Sequence, residues 1–270
     1  MQMELKIIEP IGLCTSAYSI LDQIKMNMDK YNNIYILGDI LHNEFVINYL
    51  SNLGIKFVKD LSDIRLNKYT LVILPAHGTS PKIVEKLQKY NYLDLTCPKI
   101  KKMHEFILEN KDRDIVFIGK KSHAETNAVR DYDNIKIINS AKDIDKLSDL
   151  NNPILMCQTT LGADEFNLAC TTLKEKYPNI EIKNTLCNIP LDRIENIKQT
   201  ECDLLIVIGS KTSSNANELC SSKPNSMIIG KIDEIDMNEL RKYNTIAIAS
   251  ASSTPLKQVN EIVEYIRKNA

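Results

Sequence analysis

TLVILPAHGTSPKIVEKL, residues 70–87, begins as a strand and ends as a helix. TLVILPA (70–76) is a short, β-branched apolar run, AHG is a turn, and Ser80–Pro81 is a pair that opens helices. A strand that passes through a glycine turn into a capped helix is one step of a parallel α/β sheet. The same step recurs on both sides. Apolar runs stand at 5–9, 33–38, 55–58, 114–119, 135–138, 153–157, 180–183, 203–209, 226–230 and 245–250. Helical patterns fill 15–30, 43–53, 81–89, 98–111, 124–131, 162–176, 190–199, 214–222 and 255–268. The fold class expected is therefore α/β with parallel sheets.

Of 270 residues, 43% are apolar, enough for packed cores. The 34 basic and 35 acidic residues leave a net charge of -1, so the field that draws a protein to nucleic acid is missing. The start carries no basic-then-apolar leader, and no run of about 18 uncharged apolar residues is present for a membrane span. The chain reads as cytoplasmic, with neither nucleic acid nor membrane as partner.

Seven cysteines, at 14, 97, 157, 170, 187, 202 and 220, form an odd number without a CxxC pair, which disfavours a disulfide framework. Cys14 to Cys97 is 83 residues, Cys97 to Cys187 is 90, and 83 more lead to the end. Each of the three precedes a helical pattern, in IGLC (11–14), DLTCP (94–98) and TLCN (185–188). Ligands of open parallel sheets gather where strand ends meet helix starts, so three α/β modules about a pseudo-threefold axis could bring three thiols to one point. A helix N-terminus stabilises a thiolate, and soft thiolates suit iron–sulfur clusters. A four-iron cluster normally takes four; three would leave one iron open as a Lewis acid. The competing reading is three buried thiols. Zinc fits less well, because its ligands usually show local paired spacing.

Three of the four histidines sit at expected strand ends, in LHNEFVI (41–47), PAHGTSP (75–81) and KKSHAETNAV (120–129). They could bind metal or an anion; His104, on an amphipathic pattern, reads as structural. CQTTLGAD (157–164), GSKTSSNAN (209–217) and SASSTP (250–255) each follow a strand and enter a helix, where amides and hydroxyls cradle phosphate or merely cap. No Walker or GxGxxG pattern is present. Glu125, two residues after His123, could pass a proton to a leaving hydroxyl, or could serve the helix dipole.

In order along the chain, HNEFVI, AHG, the TCP of DLTCP, G-x-x-x-H-x-E at 119–125, QTTL and GS-K-x-SSN at 209–215 resemble the 4-hydroxy-3-methylbut-2-enyl diphosphate reductase family, which closes the methylerythritol phosphate route to isoprenoids. The resemblance runs from GLC at 12–14 to STP at 253–255. It implies a trefoil of α/β modules at 10–96, 97–184 and 185–270, the third completed by a strand within 1–9. It implies one [4Fe-4S] cluster on Cys14, Cys97 and Cys187 with the fourth iron open. Diphosphate contacts fall on His42, His77, His123, Ser213, Ser214, Asn215 and Ser253, and a proton relay on Glu125 and Thr159 with Thr160 beside it. Ferredoxin or flavodoxin would supply electrons.

The chain departs from the family around the cysteines. CTSAY follows the first, Ile11 replaces an arginine, and AETNA stands for PEVEG. CNIPLDRIE follows the third, with Pro190 in place of a hydroxyl and Arg193 retained. A paralogue with the same cluster and another substrate is one alternative, and a non-catalytic cluster sensor a second. Glu125, Thr159 and the three histidines favour catalysis, since a sensor needs none of them.

Overall fold

A computed structural model describes residues 3–270; residues 1 and 2 of the strand expected within 1–9 lie outside the described residues. The α/β expectation holds, and every strand pairing is parallel. One sheet has β2 (Asn33–Leu37), β3 (Lys56–Val58), β4 (Thr70–Leu74) and β5 (Tyr92–Asp94) in the order β3-β2-β4-β5. A second has β6 (Ile115–Ile118), β7 (Ile135–Ile138), β8 (Ile154–Cys157) and β9 (Glu181–Ile182) in the order β7-β6-β8-β9. The third has β10 (Leu204–Ile208), β11 (Ser226–Ile229) and β12 (Thr245–Ser250), with β1 (Glu4–Ile7) beside β12.

The three sheets share one topology. The first strand of each has the second on one side and the third on the other, and the fourth follows at the far edge. In the last sheet the fourth place is filled by β1, from the start of the chain. The connecting helices are α1 (Thr15–Asn27), α2 (Glu44–Asn52), α3 (Pro81–Leu87), α4 (Pro98–Glu109), α5 (Ala124–Val129), α6 (Ala163–Lys176), α7 (Asn188–Gln199), α8 (Ser214–Ser221), α9 (Met237–Leu240) and α10 (Leu256–Asn269).

The chain forms two compact units. One comprises the segment ending at Lys25, Leu41–Gly54 and Asn188–Ala270, and holds the sheet completed by β1; the other comprises Met26–Ile40 and Ile55–Cys187 and holds the other two sheets. In the first, alternate residues of β10 and β12 explain why both strands are continuously apolar. Leu204, Ile206, Ile208, Ile246 and Ile248 pack on α10, while Leu205, Val207, Ala247 and Ala249 pack with Ile197 of α7 and Ala216 and Leu219 of α8. Helix α10 presents Val259, Ile262, Val263 and Ile266, the helical i, i+3, i+4, i+7 spacing. Each such burial contributes about 1.5–3 kcal/mol. Ile262→Ala is expected to cost about 2–5 kcal/mol, read as a lower urea midpoint at unchanged slope.

Three of the departures from the sequence pattern have a clear local reason. β5 is only Tyr-Leu-Asp, too short for an apolar run. α9 is a single turn fixed by Asp236, whose side chain accepts from the backbone N–H groups of Asn238 and Glu239. α7 begins at Asn188 rather than 190, because Pro190 lies in a first turn whose N–H groups have no intrahelical acceptor.

Candidate active site

In each sheet the strand order reverses between the first and third strands, where parallel sheets hold ligands at the carboxyl ends. The residues picked out by sequence fall on three equivalent sets of loops. After the first strands come His42, then His123 with Glu125, then Ser213, Ser214 and Asn215; by packing, His42 belongs to the same unit as the serines. After the third strands come His77, then Thr159 and Thr160, then Ser253. After the fourth strands come Cys97, Cys187 and Cys14, each immediately before a helix: α4, α7 and α1.

The cysteines repeat one backbone device. The N–H of each donates to a carbonyl in the loop after its own sheet's third strand: Cys97 to Ala76 at 2.9 Å, Cys187 to Thr159 at 2.8 Å and Cys14 to Ser252 at 3.0 Å. Cys14 Sγ also accepts the N–H of Ala17 at 3.4 Å, so this thiol faces the open amides of its helix. All three are partly exposed and outside any disulfide. Soft sulfur at the start of a helix fits a thiolate ligand. Among the described residues, no three His, Cys, Asp or Glu side chains frame a site for a single metal ion. The thiolates of an iron–sulfur cluster bind different irons and need no such site. Cys157 differs: it is wholly buried, hydrogen-bonded to Thr185, and its thiol is pushed up to about 11 by burial. It is a packing residue.

Glu125 is 4% exposed at the start of α5. Thr159 embraces its carboxyl group, donating its N–H to Oε2 and its hydroxyl to Oε1, each at 2.7 Å. Burial pushes the Glu125 pKa up; the two Thr159 bonds oppose this and do not outweigh it. The Nδ1 of His123 accepts the Glu125 N–H at 3.2 Å, which puts the proton of the neutral ring on Nε2, a donor suited to an anion. Gln158 braces the adjoining loops, accepting from the Lys120 N–H at 3.1 Å and donating to Thr160 Oγ1 at 2.8 Å. His77 precedes Gly78, whose φ of +84° favours glycine and where a Cβ would stand 2.9 Å from Nε2 of His104. His104 bonds the Tyr132 hydroxyl through Nδ1 at 2.8 Å, as befits a structural residue.

In the other unit, Ser213 caps α8 by accepting the Ala216 N–H at 3.3 Å. Asn215 Oδ1 accepts the Ser252 N–H at 2.8 Å, while Asn215 Nδ2 and Ser252 Oγ have no hydrogen-bond partner among the described residues. Ser253 donates to the His42 carbonyl at 3.4 Å, and buried Asn43 donates to Gln258 at 3.0 Å. Capping at α8 uses Ser213 Oγ and leaves the Asn215 amide without a hydrogen-bond partner among the described residues. The Gln158 brace lay within the quoted QTTL motif, but Gln258 sits on the apolar face of α10 with no sequence signal.

The profile of the family described as LytB protein matches residues 5–267. Among curated proteins, the chain is 31% identical to the 4-hydroxy-3-methylbut-2-enyl diphosphate reductase of Wigglesworthia glossinidia brevipalpis, over 98% of this chain and 90% of that one. It is 29% identical to the enzyme of that name from the Wolbachia of Brugia malayi, over 99% and 92%. Among solved structures, the E-1-hydroxy-2-methyl-but-2-enyl-4-diphosphate reductase of Plasmodium falciparum superposes with a TM-score of 0.90 at 30% identity, over 98% of this chain and 88% of that one. A second, titled as (E)-4-hydroxy-3-methyl-but-2-enyl diphosphate reductase, the terminal enzyme of the non-mevalonate pathway, gives 0.72 at 25% identity, over 99% and 100%.

Proposed function

This chain belongs to the LytB protein family, and from that premise we propose that it reduces 4-hydroxy-3-methylbut-2-enyl diphosphate to isopentenyl and dimethylallyl diphosphate. The observation that carries the reading is the Glu125–Thr159 pair: a carboxyl group buried beside a histidine donor, its pKa raised by burial in the direction that favours the protonated form a proton donor needs. The relatives reported above are all named as this reductase, which favours the family's own substrate over that of a paralogue.

The family is one of iron–sulfur enzymes, and in this reading Cys14, Cys97 and Cys187 hold one [4Fe-4S] cluster. Such a cluster, with one iron free of protein ligands, supplies electrons and a Lewis acid for a substrate oxygen. His42, His77 and His123 with Ser213, Ser214, Asn215 and Ser253 bind the diphosphate through N–H and O–H donors, leaving the hydroxymethyl end for Glu125. The allylic C–O bond breaks as two electrons enter. One proton, relayed by Glu125 and Thr159 with Thr160 alongside, leaves with the oxygen as water, and a second adds to carbon. Ferredoxin or flavodoxin is the donor in this scheme. No helix among the described residues is long and apolar enough to cross a membrane; in this scheme the enzyme works in the cytoplasm. The three modules at 10–96, 97–184 and 185–270 belong to the same reading.

Anaerobic turnover of the substrate with a low-potential reductant tests it, with products read by mass spectrometry and iron and sulfide assayed in parallel. Isopentenyl and dimethylallyl diphosphate are expected. Cluster-loaded protein that makes neither would move the reading to the paralogue.

A further inference from the structure

Arg193 of α7 is a charged side chain only 3% exposed. Its Nη2 donates to the Gly12 carbonyl at 2.7 Å, and its Nη1 to the Ser250 carbonyl and, at 3.3 Å, to the Ser250 hydroxyl. That hydroxyl in turn accepts the Gly12 N–H at 2.8 Å. The guanidinium therefore ties the segment entering Cys14 to the end of β12, two residues ahead of the bond from Cys14 N–H to Ser252. Its Nε makes no hydrogen bond, and no salt bridge among the described residues includes it. A buried cation without a counter-ion in contact is costly. Burial lowers the Arg193 pKa, and Cys14 and then Glu9 act against that lowering.

We propose that Arg193 is a positioning residue for the Cys14 ligand: it fixes the Gly12–Cys14 segment and sets a permanent positive charge beside the thiolate, raising the reduction potential of the cluster held there. The inference rests on the cluster reading above. Reduction adds negative charge, so a fixed cation nearby favours the reduced form. Burial spares this interaction most of the screening that salt imposes on surface charges. Lysine would keep the charge, while glutamine would keep one donor group and lose it.

The test is an anaerobic redox titration of wild type, Arg193→Lys and Arg193→Gln, followed by electron paramagnetic resonance, with iron and sulfide measured on each. At equal cluster content, Arg193→Gln is expected to hold at least tenfold less reduced cluster at a fixed potential, equivalent to about 59 mV for a one-electron step. Arg193→Lys should stay nearer wild type. Equal midpoints in all three proteins, or equal shifts in both variants, would overturn the proposal. If Arg193→Gln loads no cluster, melting of the apoprotein decides. A wild-type apo Tm keeps Arg193 in service of the ligand, whereas a collapsed one makes it a brace of the fold and overturns the role. Absence of iron and sulfide from wild type itself would reject the cluster reading instead.

Discussion

Glu125→Gln is expected to retain the cluster and the diphosphate site and to lose turnover by about 10²- to 10⁴-fold, the range for removing a positioned proton donor. Glutamine fits the embrace of Thr159: its carbonyl can accept the Thr159 N–H and its amide can donate to a rotated hydroxyl. The substitution therefore removes the transferable proton with little change of shape. Anaerobic kcat at matched iron content checks it, and an unimpaired rate would remove Glu125 from the chemistry. Stability gives an independent reading with a defined sign. The folded carboxyl has a raised pKa, so as pH climbs above the ordinary value of 4.5 the unfolded chain gives up its proton while the folded one keeps it. Wild type should lose stability relative to Glu125→Gln from there up to the raised folded value, and the difference should then level off. A constant difference between the two proteins across that window would show that burial does not perturb this group.

Much of the fold was legible because its strands are buried on both faces. Runs such as TLVIL and LLIVI read as strands at sight, and their glycine turns and Ser or Pro caps marked where helices begin. What escaped was held by tertiary contacts instead of pattern. β5 is three residues long, and α9 depends on one Asp236 cap. That β1 takes the fourth place in the last sheet, Glu4 against Thr245 through Ile7 against Ile248, was implied by the family resemblance and not by the pattern of its own residues. Four residues, Glu-Leu-Lys-Ile, cannot announce such a distant partner by pattern alone. At the site, Glu125 illustrates the same division. Its place beside His123 is visible in HAET, but the burial that raises its pKa and the two bonds from Thr159, 34 residues away, that oppose the rise belong to the fold. Arg193 is similar: the letter stands in CNIPLDRIE, while its grip on Gly12 and Ser250 belongs to the fold alone.

Cys97→Ser is expected to abolish cluster retention while leaving the fold intact, and the local structure explains why the two effects separate. Cys97 is the N-cap of α4, its N–H bonded to Ala76 and its carbonyl accepting the N–H of Lys101, and serine preserves both backbone bonds. Serine is also among the preferred N-caps, so the helix should be at least as stable as before. What changes is the ligand: a hard hydroxyl, which stays protonated at neutral pH, replaces a soft thiolate. Anaerobically purified Cys97→Ser should therefore show native far-UV circular dichroism with iron and sulfide reduced to a small fraction of wild type. Cys170→Ser, on α6 away from the helix-opening positions, should keep both. Loss of acid-labile sulfide together with iron is the informative pairing, because a mononuclear metal site would lose its metal with no sulfide to lose. Normal iron and sulfide in Cys97→Ser would withdraw Cys97 from the ligand set. The threefold repeat of cysteine N–H to loop carbonyl would then stand as a device for starting helices and nothing more.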